Sequence, residues 1–355
     1  MFIRTVLALV FTAVPLLADA TDGKLDIHWI DVEGGGATLI VTPTGESILI
    51  DTGNPGERDS GRIAKHAKEV AKLKQIDHVV ITHYHNDHVG GTAALSKLIP
   101  IINLYDNGNH EARMQESGGT LADYLKIEAK KRTVLNPGDK LPIQPLFTAS
   151  APTQGAPKGP TLTITCLAAR QQMIKAEDHH QENSHELAKN PVRRTEDKSD
   201  NANSIVLLIK FGEFEFLNCG DLTWNIEETL VAPRNLVGTV DVYQVNHHGL
   251  DASNNPLLIQ SVAPTVAVFN NGDKKGCQPL AFLAVKGAPS VKAIYQVHKN
   301  LRKDVQNNTA DDMIANHTPQ NECEGHAMML HVAADTKSYT VKVPSRKHEK
   351  TFESK

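Results

Sequence analysis

The chain has 355 residues, with 37 Lys and Arg against 41 Asp and Glu, and a net charge of −4. A protein that holds polyanionic DNA along a track needs a basic surplus, so this balance gives no strong nucleic-acid footprint and favours a small molecule or a short phosphodiester as substrate. Hydrophobic residues make up 40% of the sequence, enough for one large core or a core domain with elaborations.

Residues 1–20 read as a signal peptide. Arg4 supplies the positive charge, residues 6–17 are almost wholly apolar, and Ala18-Asp19-Ala20 offers a small-residue cleavage site. That run is short for a membrane span, and no other stretch approaches about 18 consecutive apolar residues. The expectation is an exported chain, periplasmic or secreted, that begins near Thr21 and keeps no stable membrane span. Residues 25–32 alternate and then run apolar as a strand does. Gly34, Gly35 and Gly36 turn the chain into a second strand over 37–42, and Pro43-Thr44-Gly45-Glu46 returns it through 47–50 to Asp51-Thr52-Gly53. A helix follows with Ile63, Ala67, Val70 and Ala71 on one face. Next come an apolar strand at 76–81, a short helix at 93–98 and a strand at 101–105.

Residues 151–160 are a Pro/Gly loop, and 170–203 are polar without a sustained period, a long surface excursion expected to lie over a site. Strands resume at 204–210, 213–219 and 241–245. Those at 265–269, 293–297, 327–332 and 339–343 suggest a second sheet or its extension, and the charged residues 348–355 read as a disordered tail. Of four cysteines, Cys166 lies in an apolar run and reads as a small buried hydrophobe. None forms a CxxC pair, which excludes a zinc ribbon, and an oxidising compartment would permit a disulfide between Cys277 and Cys323.

The chemistry concentrates after the strand at 76–81, where Thr82–Gly91 reads THYHNDHVGG. His83, His85, Asp87 and His88 place three imidazoles and a carboxylate on a loop at a strand's C-terminal end. Such N/O donors suit zinc and other first-row metals. Two later strands end in ligand-type residues: Cys219-Gly220-Asp221, and Asn246-His247-His248-Gly249. Asp221 can bridge two ions, or can cap a helix over 225–230. His28, His66, His298, His326 and His331 have no motif context and read as structural, as do Asp77 and His78 within their strand.

HxHxDH followed by Gly-Gly resembles the signature of the metallo-β-lactamase superfamily. The resemblance implies an α/β fold, a four-layer αββα sandwich with one or two metals at one edge. The pieces Ile30-Asp31-Val32 plus glycines, Asp51-Thr52-Gly53, HxHxDHxGG, Asn203-Ser204, Gly220-Asp221 and His247-His248-Gly249 look most like the ComEC-like branch, named for the exported nuclease domain of DNA-uptake channels. Phosphorylcholine esterases of cell-wall polymers resemble it as well. On this resemblance a catalytic domain covers 21–270, with 271–347 extending the same fold. It also implies that His83 and His85 hold one metal, that Asp87, His88 and His247 hold the other, and that Asp221 bridges them. Asp51 would support the ligand loop through hydrogen bonds. His248 is left open between metal ligand and proton donor. Gly36 stands where the branch often has Asp. The third histidine of classical β-lactamases has no clear counterpart, with His110, His179, His180 and His185 candidates by residue type alone.

The reaction so implied is hydrolysis by a water activated at two Zn2+ ions, with Mn2+ or Fe as alternatives, and with Asp87 or His248 passing a proton to the leaving group. A phosphodiester is the favoured substrate. A lactonase or β-lactamase is the enzymatic rival, and an iron-binding redox protein the non-hydrolytic one. Selectivity is expected from 170–203, the loop after Asp106, and 271–325. The last holds Lys274, Lys275, Lys299, Arg302 and Lys303, a basic grouping that either meets a phosphate or is a solvated surface.

Overall fold

The computed structural model describes residues 23–117, 119–145, 159–303 and 307–355, so the signal peptide and most of the Pro/Gly loop read from the sequence lie outside the described residues. Two large sheets face each other. The first has nine strands in the spatial order His348–Glu353, Ser338–Val343, Met328–Val332, Leu25–Trp29, Thr38–Val41, Ser47–Ile50, Ile76–Val80, Ile101–Asp106 and Lys131–Val134. The second has eight: Ile314–Asn316, Ala293–His298, Val266–Phe269, Val242–Gln244, Phe214–Asn218, Val206–Phe211, Leu162–Ala169 and Gln172–Met173.

Period-two alternation sorts the side chains of each strand. Leu25, Ile27, Trp29, Ile48 and Ile50 point between the sheets, where they meet Leu207, Ile209, Phe214, Phe216 and Val242. Trp29 Nε1 donates to Gln244 Oε1 at 2.8 Å across that interface, so the one polar atom of the indole is satisfied inside the core. The opposite face of the first sheet (Leu39, Leu49, Val79, Ile81) packs on Ile63, Ala67 and Leu95 of the helices. That of the second (Leu217, Tyr243, Ala267, Phe269) packs on Leu230, Leu257, Leu258 and Phe282. With both faces of both sheets covered, strands read as continuous apolar runs, and the four layers are αββα.

His28, on the outer face of its strand, is fully buried with its Nδ1 3.2 Å from His66 Nε2, and His331 binds Asp26 at 2.5 Å. The first contact fastens a helix to the sheet, and the second ties two neighbouring strands. His78 likewise joins Tyr105 and Glu46.

The C-terminal strands divide between the sheets. Ala293–His298 and Ile314–Asn316 continue the second, whereas Met328–Val332 pairs antiparallel with Leu25–Trp29 in the first. The tail read as disordered is a strand, His348–Glu353, in register with Ser338–Val343. Its charges alternate with Phe352, which stacks on Tyr339, and one apolar face suffices for an edge strand. The two cysteines allowed a disulfide are free thiols: Cys277 Sγ meets Asn307 O, and Cys323 Sγ meets Asp31 Oδ2.

Strands Ser47–Ile50, Ile76–Val80, Ile101–Asp106 and Lys131–Val134 run parallel, as do Phe214–Asn218, Val242–Gln244 and Val266–Phe269. Parallel strands bring their C-terminal ends to one edge, where successive loops can converge. Asp51, the 82–88 loop, Asp221 and the 246–248 turn all emerge there.

Candidate metal centre

Asp51 follows its strand at φ 62°, a conformation few non-glycine residues adopt. Its carboxylate accounts for the strain. Oδ1 accepts from Thr82 N and Oδ2 from Thr82 Oγ1, each at 2.8 Å, and Oδ2 also accepts from His88 Nδ1 at 2.7 Å. The Asp51 carboxylate thereby fixes both ends of the motif loop. Gly36 is required by the same packing. A Cβ there would lie 2.8 Å from the Asp51 side chain and from His88 Nδ1, so this site has no room for an aspartate at position 36.

With Nδ1 engaged, His88 turns Nε2 toward Asp221 Oδ2 at 3.1 Å, His248 Nε2 at 3.2 Å and Asp87 Oδ2 at 3.4 Å. His248 Nε2 is 3.1 Å from Asp87 Oδ2 and 3.4 Å from Asp221 Oδ2. Asp87, His88, Asp221 and His248 therefore form one group whose ligand atoms all lie within 4.8 Å of one another. Asp221 Oδ2 also faces His83 Nε2 at 3.9 Å and His247 Nε2 at 3.5 Å. His83 Nε2 lies 3.1 Å from His85 Nδ1. One carboxylate oxygen thus stands among four imidazoles. Asp221 is not a helix cap, since Trp224–Val231 starts after Thr223.

Of the two adjacent histidines, His247 stands apart from the Asp87 and His88 group expected for it, and His248, left open in the sequence, takes the ligand position. His248, rather than His247, completes the group of Asp87 and His88, while His247 reaches Asp221 beside Asn201 at 3.4 Å. Both residues are left-handed, His247 at φ 53° and His248 at φ 54°. This tight turn sets the two rings 6.2 Å apart. Each left-handed non-glycine residue costs about 1–2 kcal/mol. The surrounding contacts hold the turn: Glu227, buried beneath it, accepts from Asn246 Nδ2, Asn254 N and Asn255 N.

Electrostatics follow from the crowding. Burial holds His83 well below the usual imidazole range, and neighbouring His88 adds to this. Burial also lowers His247 to about 4. Burial opposes charge on Asp221 and Asp87 too, yet both carboxyls are held well below the usual range, Asp221 by His248, His88 and His247, and Asp87 by His88 and His248. Burial likewise opposes charge on His88, whose proton is nonetheless held by Asp221, Asp51 and Asp87. The imidazole nitrogens of His88 and His248 face each other at 3.2 Å and need a cation or a proton between them. Imidazole and carboxylate donors around a shared oxygen are a donor set that fits two divalent ions.

Lys275 ion-pairs with Asp87, which puts one member of the C-terminal basic grouping in the centre itself. His110 binds Asp106 at 3.3 Å and packs on Tyr84. His179 is exposed beside Glu177, His180 accepts from Glu177 N, and His185 caps the helix Glu186–Lys189. None of these four joins the centre. Asp200 is a residue the sequence reading missed. At the buried end of the 170–203 excursion, it accepts from Tyr84 N at 2.7 Å and pairs with Arg113 at 3.0 Å, holding the motif loop from above. The same excursion walls a cavity of about 720 Å³ through Arg193, Arg194 and Asn201, opposite Trp224 and His247.

Residues 31–169 match the family profile described as metallo-beta-lactamase superfamily. Over 251 residues, 69% of this chain and 24% of the relative, the sequence is 25% identical to "Recombination protein 2" of Haemophilus influenzae. Over 86 residues, 23% of this chain and 27% of the relative, it is 37% identical to a UPF0173 metal-dependent hydrolase of Cupriavidus taiwanensis. The matched stretch thus spans about a quarter of the length of each of these relatives. Among solved structures, a Parabacteroides distasonis protein assigned as a metal-dependent hydrolase aligns over 79% of this chain and 94% of its own, at 14% identity and a TM-score of 0.40.

Proposed function

We propose that this chain, whose residues 31–169 match the metallo-beta-lactamase superfamily profile, is a metal-dependent hydrolase, and specifically a phosphodiesterase that acts on a short phosphodiester outside the cytoplasm. The observation that carries this reading is Lys275, a partly exposed cation paired with Asp87 at the centre. A neutral lactone has no use for it, whereas a diester brings a permanent negative charge. Arg194 stacked 3.4 Å over the Trp224 ring, with Arg193 beside it, gives the adjoining cavity an aromatic and basic wall for one substituent. Similarity to "Recombination protein 2" over 69% of the chain supports the same branch.

His83, His85 and His247 would hold one zinc ion; Asp87, His88 and His248 the other; Asp221 stands between them. Bound there, the ions would lower the pKa of a shared water towards about 7 and offset charge growing on the phosphoryl oxygens. The chain's own residues do the rest. Asp51 orients His88 and Asp200 fixes the motif backbone. Lys275, partly exposed beside Asp87, is placed to meet a non-bridging oxygen. Asp87, at the rim of the group and held ionised by His88 and His248, is placed to take a proton from the attacking water and pass it to the leaving oxygen. Export rests on residues 1–20, with their positive charge, apolar run and A-x-A site.

The purified protein, loaded with Zn2+ or Mn2+, is to be assayed on bis-p-nitrophenyl phosphate, a neutral lactone and nitrocefin. Turnover of the diester above the other two is expected. Lactone or nitrocefin turnover without diester cleavage overturns the substrate reading.

A further inference from the structure

A second cluster of metal-type side chains lies on the far side of the glycine turn. Asp31, Glu33, His298 and Cys323 offer one ligand atom each, all within 4.8 Å of one another. They come from three distant segments: the turn after the first strand, the end of Ala293–His298, and the loop before Met328–Val332.

Two atoms in this cluster lack a hydrogen-bond partner. His298 Nε2 and Glu33 Oε2 are buried, make no hydrogen bond, and face each other at 3.8 Å. His298 Nδ1 lies 2.9 Å from Lys299 O, a carbonyl that can only accept, so Nδ1 carries a hydrogen and Nε2 is the nitrogen left to face Glu33 Oε2. A buried imidazole nitrogen and a carboxylate oxygen that face each other beyond hydrogen-bond distance are costly to leave so unless something positive sits between them. Arg62 does not fill that role. It donates to Glu33 Oε1 at 3.1 Å, Asp31 Oδ2 at 3.2 Å and Cys323 O at 2.7 Å, leaving Oε2 and Nε2 untouched.

Glu33 is also held at φ 57°, where glycine would be unstrained. A non-glycine residue kept there points to a use for its side chain. The charges balance as well: two carboxylates and a thiolate offset one Arg and one divalent cation. Cys323 itself is only partly buried, and its neighbours Glu324 and Gly325 border a surface cavity of about 550 Å³.

We propose that Asp31, Glu33, His298 and Cys323 form a further Zn2+ site, separate from the hydrolytic centre. Imidazole, thiolate and carboxylate are zinc donors, and bonds of about 2.0–2.3 Å around one ion place ligand atoms roughly 3–4 Å apart. Uptake releases the Cys323 thiol proton, now directed at Asp31 Oδ2 at 3.1 Å, to solvent. The ion is structural. It fastens the turn whose Gly36 N donates to Asp87 O and whose Gly34 packs on Gly272 and Lys275. The site stands whether or not the substrate is a phosphodiester.

Cobalt substitution of the full chain separates the two centres, because only this one contains sulfur. A thiolate-to-Co2+ charge-transfer band in the near ultraviolet is expected in the wild-type protein and in D221A, and is lost in C323S with one metal equivalent per chain. E33Q and H298Q should weaken binding at this site by about tenfold or more, the scale on which even indirect partners of ligands act. Should C323S fail to fold by circular dichroism, E33G carries the test: its backbone is favoured at this φ, yet it removes a ligand. Folded wild-type protein without the band, a band and stoichiometry unchanged in C323S, or a cobalt affinity of E33G equal to wild type in chelator competition, overturns the proposal.

Discussion

His88 Nδ1 donates to Asp51 Oδ2 at 2.7 Å, and this hydrogen bond turns the other ring nitrogen onto Asp221 Oδ2, 3.1 Å away. A residue outside the ligand group therefore sets the orientation of a residue inside it. The strained φ of Asp51 is kept for that purpose.

Substituting Asp51 tests this directly. Asn tolerates positive φ, so D51N should fold, but it loses the charge that holds the imidazole. Zn2+ affinity is expected to fall about 10–100-fold, as for other hydrogen-bonded partners of ligands. Competition with a chromophoric chelator measures it, and an affinity equal to wild type would remove Asp51 from the metal centre.

The adjacent histidines should behave as ligands of different ions. H247A and H248A are each expected to lose about one metal equivalent, whereas D221A should lose both ions of this centre, since the carboxylate lies between them. Elemental analysis of dialysed protein reads this. Activity should vanish on chelation and return with Zn2+.

Replacing Lys275 separates charge recognition from chemistry. K275M should lower kcat/KM for an anionic diester about 10–100-fold, the scale of a charge-assisted hydrogen bond, and leave any neutral lactone turnover unaffected. Equal losses on both substrates would place Lys275 in support of Asp87 instead.

Glu227 gives a pH signature. Burial raises its carboxyl from 4.5 to about 7, against the hydrogen bonds donated by Asn255, Asn254 and Asn246. Between those values the folded chain holds a proton that the unfolded chain has released. Stability should therefore be greatest below about 4.5 as far as this group is concerned, fall as pH rises towards 7, and level off above. The loss is about 3 kcal/mol from this residue. Urea denaturation of the metal-free protein at pH 5 and pH 8 measures it. E227Q should show a shallower slope, whatever its stability at any single pH.

The sequence by itself determined the site's donor types and the strands that carry them. THYHNDHVGG, Gly220-Asp221 and His247-His248-Gly249 are local strings, each following an apolar strand, and such strings are legible without neighbours. The αββα layering was legible through the resemblance those motifs carry. Tertiary structure alone decided the rest. Which of two adjacent histidines meets Asp87 depends on two left-handed residues, and the energy that holds them there comes from Glu227 and residues 254–255 beneath the turn. The tail became a strand because Ser338–Val343 offered it an edge. Asp200 and Lys275 have no motif, and only the fold brings them to Tyr84 and Asp87. His298, an ordinary strand histidine in the sequence, has a buried nitrogen without a hydrogen bond only because the fold sets it against Glu33, 265 residues away in sequence. Residue type is a local property, but burial, charge balance and an unsatisfied atom belong to the folded chain.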